Sequence, residues 1–479
     1  MTMSAKPKMT FGGVGALIIG AGPAGLWAAD TLLRKGVEQV YMLEAGSMME
    51  RRHCPKTSAC NCAVCDILEG VGGAGGFSDG KKTYSLTRGT QMEQLFDPKH
   101  THLLKQIDDT IVCWGGEGIS FEPGAEAPKG IEDTRLEFGS YPLRHIGSDG
   151  VQDFISKYTR QLQSRGLKLF PEFEVKDLIV DETGRVRGAV GMSFGREVEF
   201  LARVTFVATG LQGSPWFEEQ LLSRGVPLGT GPAGIGLRVE ASHKALAPLF
   251  DAFYDFKLMY EHQGLHFRSF CCNQRGYIVN ENHRTLGVRN VNGHSYLGEE
   301  RRSQSSNFAI ICKVGENFHE NPQALVRRIA RTVNSLPDGN GSSTIVQGAG
   351  DFCQGRVFDD LEAHPVRTNF QSVLANIPSA LPTAIWDGFR GFLYELAKVI
   401  PEVATNETLI YAPEVKYYGR KVPVDFANWK CTALDGLYVI GNATGYLDSF
   451  VAAALTGIIA ADDAAPAIVA QQSIKFGEE

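Results

Sequence analysis

The first strong pattern along the chain is Ala16-Leu17-Ile18-Ile19, an unbroken apolar run of the kind shown by a strand buried on both faces. Gly20-Ala21-Gly22-Pro23-Ala24-Gly25 follows at once, and Leu26 to Lys35 reads as a helix ended near Gly36. Val40-Tyr41-Met42-Leu43 is a second strand, closed by Glu44-Ala45. Val175 to Val180, Arg185 to Met192 and Glu197 to Val207 are separated by polar, glycine-bearing turns, which predicts a three-stranded meander. Its last strand runs into Ala208-Thr209-Gly210. Near the C-terminus, Gly436 to Ile440 is another buried strand, followed by Gly441-Asn442-Ala443-Thr444-Gly445 and a helix from about Ser449 through Phe450 and Val451. Between these blocks, Ile385 to Ile400 has helical periodicity and stops before Pro401.

This order predicts an α/β protein. A Rossmann-like doubly wound parallel sheet with a β-meander takes residues 10–210 and 425–470, and an inserted α+β substrate domain takes 211–424. Gly229-Thr230-Gly231-Pro232-Ala233-Gly234 repeats the glycine spacing, but Ile235 to Glu240 then alternate like a strand. A second nucleotide domain is therefore not expected.

Strand, glycine turn, helix, second strand and terminal acid together specify a dinucleotide site. Gly20 permits the tight turn, Gly22 lets the backbone approach a pyrophosphate, and Gly25 lets the helix pack close to the strand. The helix start at Pro23 and Ala24 offers free N–H groups and the positive end of a dipole to the phosphates. Glu44 stands about twenty residues beyond the first glycine, where a ribose-binding acid belongs.

The later motifs resemble those of two-domain flavoproteins of the glutathione-reductase-like class. Ala208-Thr209-Gly210 resembles the close of the adenine-side meander that begins near Val175. Gly441-Asn442 resembles the motif that meets the pyrophosphate and ribityl chain, with Asn442 in place of the usual aspartate. The resemblance implies FAD, and it implies that the helix opening at Ser449, Phe450 and Val451 points its N-terminus at the flavin ring. Gly70-Val71-Gly72-Gly73-Ala74-Gly75-Gly76-Phe77-Ser78-Asp79-Gly80-Lys81 is similar to the signature of a family of FAD-dependent dehydrogenases. Segments around Arg144-His145, Gly236-Leu237-Arg238, Arg268 to Cys272 and Val291 to Ser295 also fit that family, so the match spans nearly the whole chain. The pattern fits poorly at Asn442 and from Lys416 to Pro423. Gly75, Gly76, Ser78 and Lys81 are expected at the flavin or a substrate anion, and Ala45 and Arg52 at the adenosine end. Gly76 to Gly80 also matches the spacing of a nucleophile elbow, but no buried strand precedes it, so a hydrolase is not expected.

Cys54, Cys60, Cys62 and Cys65 fall in twelve residues, a group seen in some members of the same family. Zinc or an iron–sulfur centre, a redox dithiol, and reduced structural thiols all stay open for it. With 54 glycines, 43% hydrophobic and 21% charged residues, the 479-residue chain has ample material for a folded core. The net charge of −7 with dispersed Lys and Arg argues against nucleic acid. The apolar run from Phe11 to Leu33 holds six glycines, Pro23 and Asp30, so no membrane span is expected and a cytoplasmic protein is.

The expected function is hydride transfer between a small organic substrate and flavin N5. Lys416, Tyr417, His145 and Arg268 are the catalytic candidates, with His294, His364, Arg367 and Lys421 as further polar groups. Oxygen, transient NAD(P)H or an electron carrier would complete the cycle, and a homo-oligomer fits the class. A flavin-dependent monooxygenase and a non-catalytic flavin-binding protein are the competing expectations.

Overall fold

The computed structural model describes residues 9–54, 65–86, 92–122, 124–193, 195–315, 318, 320–337, 339, 343–357 and 372–474. Two large sheets organise them. In the first, strands Lys168–Phe170, Val40–Leu43, Met9–Ile19 and Arg196–Val207 run parallel in that spatial order, and Leu437–Val439 adds a further parallel partner to Arg196–Val207. The meander Glu174–Val180, Val186–Ser193 and Arg196–Val207 continues the sheet antiparallel.

The unbroken apolar run has its reason in the layers. Ala16 and Ile18 pack toward the helices, whereas Leu17 and Ile19 pack toward the meander, so successive residues bury on opposite faces. Helix Pro23–Arg34 follows the turn, with proline at its first position and every residue from Ala24 to Leu32 buried. A Cβ on Gly25 would lie 2.1 Å from the Gly20 carbonyl oxygen, so only glycine allows this helix so close to the strand. The C-terminal helix Phe450–Ile474 crosses it equally tightly, because a Cβ on Gly457 would fall 2.2 Å from the Ala24 carbonyl. That helix is long and apolar enough to cross a membrane by composition, but 72% of the qualifying window is buried inside the protein.

The second sheet has eight strands. Leu409–Tyr417, Ala233–Ser242, Ser305–Val314 and Leu265–Asn273 form its antiparallel centre, backed by helices Pro322–Ser335 and Thr383–Ala397. The segment after the repeated glycine pattern is the strand Ala233–Ser242, not a nucleotide-binding helix. One edge strand, Glu137–Gly139, comes from well before the meander. The second sheet is thus not wholly an insertion after residue 210, because three residues of the first segment pair with Lys257–Met259.

Candidate functional site

The fingerprint turn sits where two elements leave the first sheet together. Gly20 has φ +108, and a Cβ there would strike the Ala208 carbonyl oxygen at 2.4 Å. Glycine at position 20 therefore permits this close backbone approach, and Ala208 N–H also bonds the Ile19 carbonyl at 2.7 Å. A Cβ on Gly22 meets nothing nearer than Gly73 Cα at 3.9 Å, so the fold itself does not demand glycine there. Val175 lies farther out, paired with Gly191 in the meander.

Glu44 differs in part from its predicted role. Its carboxylate accepts from the backbone N–H groups of Ala21 at 2.8 Å, Gly46 at 2.9 Å and Gly70 at 3.1 Å. A carboxylate offers about four acceptor positions. Three tie the fingerprint to the glycine loop, and one is left for a ribose hydroxyl. Ala45 adjoins this knot as the residue between Glu44 and Gly46.

Arg52 is likewise committed. Its guanidinium donates to the carbonyls of Asp66, Ile67, Gly70 and Val71 and lies over the Phe77 ring at 4.7 Å. Burial draws its pKa down to about 10 against the charge of Glu44. It organises the turn that presents the glycine loop and does not extend a free fork toward a phosphate. Ser78 Oγ donates to the Gly75 carbonyl at 2.9 Å and accepts from Gly80 N–H, which braces the loop on itself. A Cβ on Gly75 would press on the Phe450 ring at 2.6 Å, and one on Gly76 would displace the flexible end of Met49 at 2.6 Å.

Lys81 is held within the protein too. Its Nζ meets Asp79 at 2.7 Å, Asp255 at 3.2 Å and the Cys272 carbonyl at 2.6 Å, so its three donors are engaged within the protein. Burial raises the Asp79 pKa, but Lys81 outweighs it and holds the carboxyl at about 2. Strand Lys81–Thr83 pairs with Leu143–His145, which sets His145 beside Lys81. His145 Nε2 lies 3.0 Å from Ser295 Oγ and 3.1 Å from the Tyr254 hydroxyl. Burial pushes this imidazole down to about 4, with Asp79 opposing, so it is neutral near pH 7.

Cys271 joins the same cluster. It lies in an irregularity of strand Leu265–Asn273 with φ +48, and its Sγ is 3.3 Å from Asp79 Oδ2. Burial, and then the Asp79 charge, push the thiol up to about 11. Beneath the cluster Arg238 forms a two-pronged pair with Glu414 at 2.6 and 2.7 Å and also donates to Asn273 and Asn307.

A second group of candidates meets at the start of the C-terminal helix. Lys416 Nζ bonds Asp448 Oδ2 at 2.6 Å and lies 4.2 Å from the Phe270 ring centroid. Arg268 stands over the same ring at 5.5 Å and acts on Asp448 through its charge. Burial raises the Asp448 carboxyl, but Lys416 and Arg268 bring it below its ordinary range. Tyr417 does not join them; it packs against the core of the second sheet. Tyr418, which the sequence did not single out, reaches Asp448 with its hydroxyl. Asp448 is followed by Ser449, whose Oγ caps the Ala452 N–H at 3.3 Å. The N–H groups of Phe450 and Val451 in that first turn have no acceptor within the helix.

The residues present fit an FAD molecule. The fingerprint turn, the glycine loop and the helix start at Phe450 close on one another, as Gly75 touches both Pro23 and Phe450. Two buried polar atoms here, Asn442 Oδ1 and Lys82 Nζ, have no hydrogen-bond partner. Gly441 holds φ +65 against Ala24, so Asn442 is presented at the start of the first helix.

Cys60 and Cys62, like His364 and Arg367, lie outside the described residues. Cys54 is half-buried and Cys65 buried, and burial raises the pKa of Cys65. No group of three or more metal-ligating side chains comes together among the described residues.

Residues 14–200 match the model of an FAD binding domain, and residues 237–417 match that of an FAD-dependent protein, C-terminal domain-like. An uncharacterized protein of Clostridium beijerinckii is 24% identical, covering 93% of this chain and 80% of its own length. Among solved structures, 3-ketosteroid-Δ4-(5α)-dehydrogenase of Rhodococcus jostii RHA1 is 14% identical, with a TM-score of 0.44 and coverage of 97% and 98%. A flavoprotein/dehydrogenase of Cytophaga hutchinsonii is 11% identical, with a TM-score of 0.43 and coverage of 95% and 79%.

Proposed function

Because the chain belongs to the FAD-dependent oxidoreductases that join an FAD-binding domain to this C-terminal domain, we propose that it transfers a hydride between a small organic substrate and flavin N5. The bound FAD would supply the two-electron chemistry at that atom. The observation that carries the reading is the meeting of Lys416, Arg268, Tyr418 and Asp448 beside the first turn of the helix opening at Phe450.

The chain's own groups divide the work. Backbone at Gly22 and Ala24 and the helix N-terminus would hold the pyrophosphate, with Asn442 on the ribityl chain. Lys416 and Arg268 fix the Asp448 carboxylate as an ionised acceptor. His145, neutral near pH 7, holds the Ser295 and Tyr254 hydroxyls at its Nε2 and adds no charge to the wall of the site. The buried Asp79–Lys81–Asp255 chain packs behind this wall.

The purified protein should show absorbance near ~450 nm from bound oxidised flavin. Anaerobic addition of candidate donors should bleach it. Consumption of NAD(P)H and oxygen with release of a hydroxylated product would replace this reading with a monooxygenase. A bound flavin that no donor bleaches would replace it with a passive binder.

A further inference from the structure

Lys81 and Lys82 are consecutive on one short strand, so their side chains leave opposite faces. Lys81 points to Asp79, Asp255 and the Cys272 carbonyl. Lys82 points the other way and is 1% exposed, and its Nζ has no hydrogen-bond partner. What it does meet is the ring of Phe450, 3.5 Å from Nζ to the centroid. Phe450 opens the C-terminal helix and packs against Gly75, which in turn touches Pro23 at the start of the first helix.

Three positive features therefore gather at one place: the ammonium of Lys82 and the N-terminal ends of two helices. Among the described residues no carboxylate is bonded to that ammonium. Asp79 acts on it only through space and is itself bonded to Lys81 and Asn273. A ring face offsets part of the desolvation of a cation. A buried ammonium without a paired anion is still costly, and burial draws its pKa down to about 7 against the pull of Asp79. An anion from a bound ligand would offset that cost.

We propose that Lys82 is a cofactor-binding residue whose ammonium pairs with an anionic part of FAD. The pairing rests on the FAD reading above, and two parts of the cofactor have the required chemistry. One is the pyrophosphate, which is charged in either redox state. The other is the N1–C2 carbonyl edge of the ring, which becomes anionic on reduction.

The test uses Lys82→Met, which keeps length and apolar volume and removes the charge. Apoprotein of each form is titrated with FAD, with ADP and with reduced FAD, and its melting temperature is recorded. The variant should bind the cognate form about ten- to a hundredfold more weakly, the loss typical of one charge-assisted hydrogen bond. Its apoprotein should melt at or above the wild-type temperature, because an uncompensated charge has been removed. Weaker binding of both FAD and ADP assigns the pyrophosphate as the partner. Weaker binding of reduced FAD alone assigns the ring edge. Unchanged affinity for all three overturns the proposal, and so does a fall in apoprotein melting temperature alongside affinity, which marks a structural role. Wild-type apoprotein that binds no FAD at all overturns the cofactor reading itself, whatever Lys82 does.

Discussion

Lys416 and Asp448 meet at 2.6 Å, and this one contact ties the end of the central strand of the second sheet to the residues that open the C-terminal helix. The second sheet and the segment that opens the C-terminal helix are thereby linked. Arg268 and Tyr418 converge on the same carboxylate from neighbouring elements. The members of this charge cluster come from three separate stretches of sequence.

Breaking that contact should cost stability and turnover together. Asp448→Asn is expected to cost about 1–3 kcal/mol, the penalty of leaving a charged partner unmatched. The figure stays below that for a fully buried pair because the Lys416 side chain is 21% exposed. Anaerobic flavin bleaching should slow in Asp448→Asn and in Tyr418→Phe. Tyr417→Phe should bleach at the wild-type rate, since that ring packs into the core away from Asp448. Equal slowing in the two tyrosine variants would show that the hydroxyl on Asp448 has no special part.

The pair beneath the site should behave differently. The Arg238 side chain is 0% and that of Glu414 5% exposed, with two bonds between them. Arg238→Met leaves a buried carboxylate without its cation and should cost about 3–5 kcal/mol. The double variant Arg238→Met with Glu414→Leu should recover much of that loss, because two apolar side chains replace both charges. Urea unfolding followed by far-UV circular dichroism measures both. A double variant as unstable as the single one would mean that the bonds from Arg238 to Asn273 and Asn307 carry the stabilisation instead.

Acidification should destabilise the protein through His145. Its folded pKa of about 4 lies below the ordinary imidazole value, so the unfolded chain takes up this proton first. The contribution is complete above pH ~6.5 and is lost as the pH falls toward ~4, by about 3 kcal/mol in all. His145→Gln does not titrate there. Its stability between those two pH values should fall less steeply than that of the wild type, by a margin readable in urea midpoints. Parallel curves for the two forms would mean that the imidazole takes up its proton at the same pH folded and unfolded.

The strand–turn–helix at residues 16–34 was legible because everything that sets it is local: a two-sided apolar strand, glycines at fixed offsets, and proline at the first helical position. The meander was legible for the same reason, through its turns. The edge strand Glu137–Gly139 was not, since three residues that pair with a strand over a hundred positions later leave no periodic trace. The site shows the same division. Lys81 and Lys82 look alike in sequence, and only the facing of one short strand makes the first a structural ion-pair member and the second an unpaired cation. Tyr417 and Tyr418 are separated likewise, because regular pairing stops between them. Glu44 was found correctly as the acid at the strand end, but its three backbone partners include Gly70 from a loop that spacing could not place.

The glycines of the fingerprint allow cofactor binding to be separated from folding. Gly25 cannot accept a side chain, because a Cβ would sit 2.1 Å from the Gly20 carbonyl oxygen, a backbone atom that no rotamer can move. Gly25→Ala should therefore lower the melting temperature of the apoprotein and lose flavin as a consequence. Gly22 has φ −74, a value any residue adopts, and the nearest atom to an added Cβ is 3.9 Å away. Gly22→Ala should leave the apoprotein melting within a degree or two of wild type. The added methyl group would instead stand where a pyrophosphate must come close to the backbone. That variant should purify with little absorbance near ~450 nm and should bind FAD at least tenfold more weakly, a loss of about 1.4 kcal/mol. Melting curves and flavin titration on the two variants make the comparison. If Gly22→Ala keeps a full complement of flavin, the cofactor does not approach the chain at this turn, and the assignment of the first helix to the pyrophosphate fails with it.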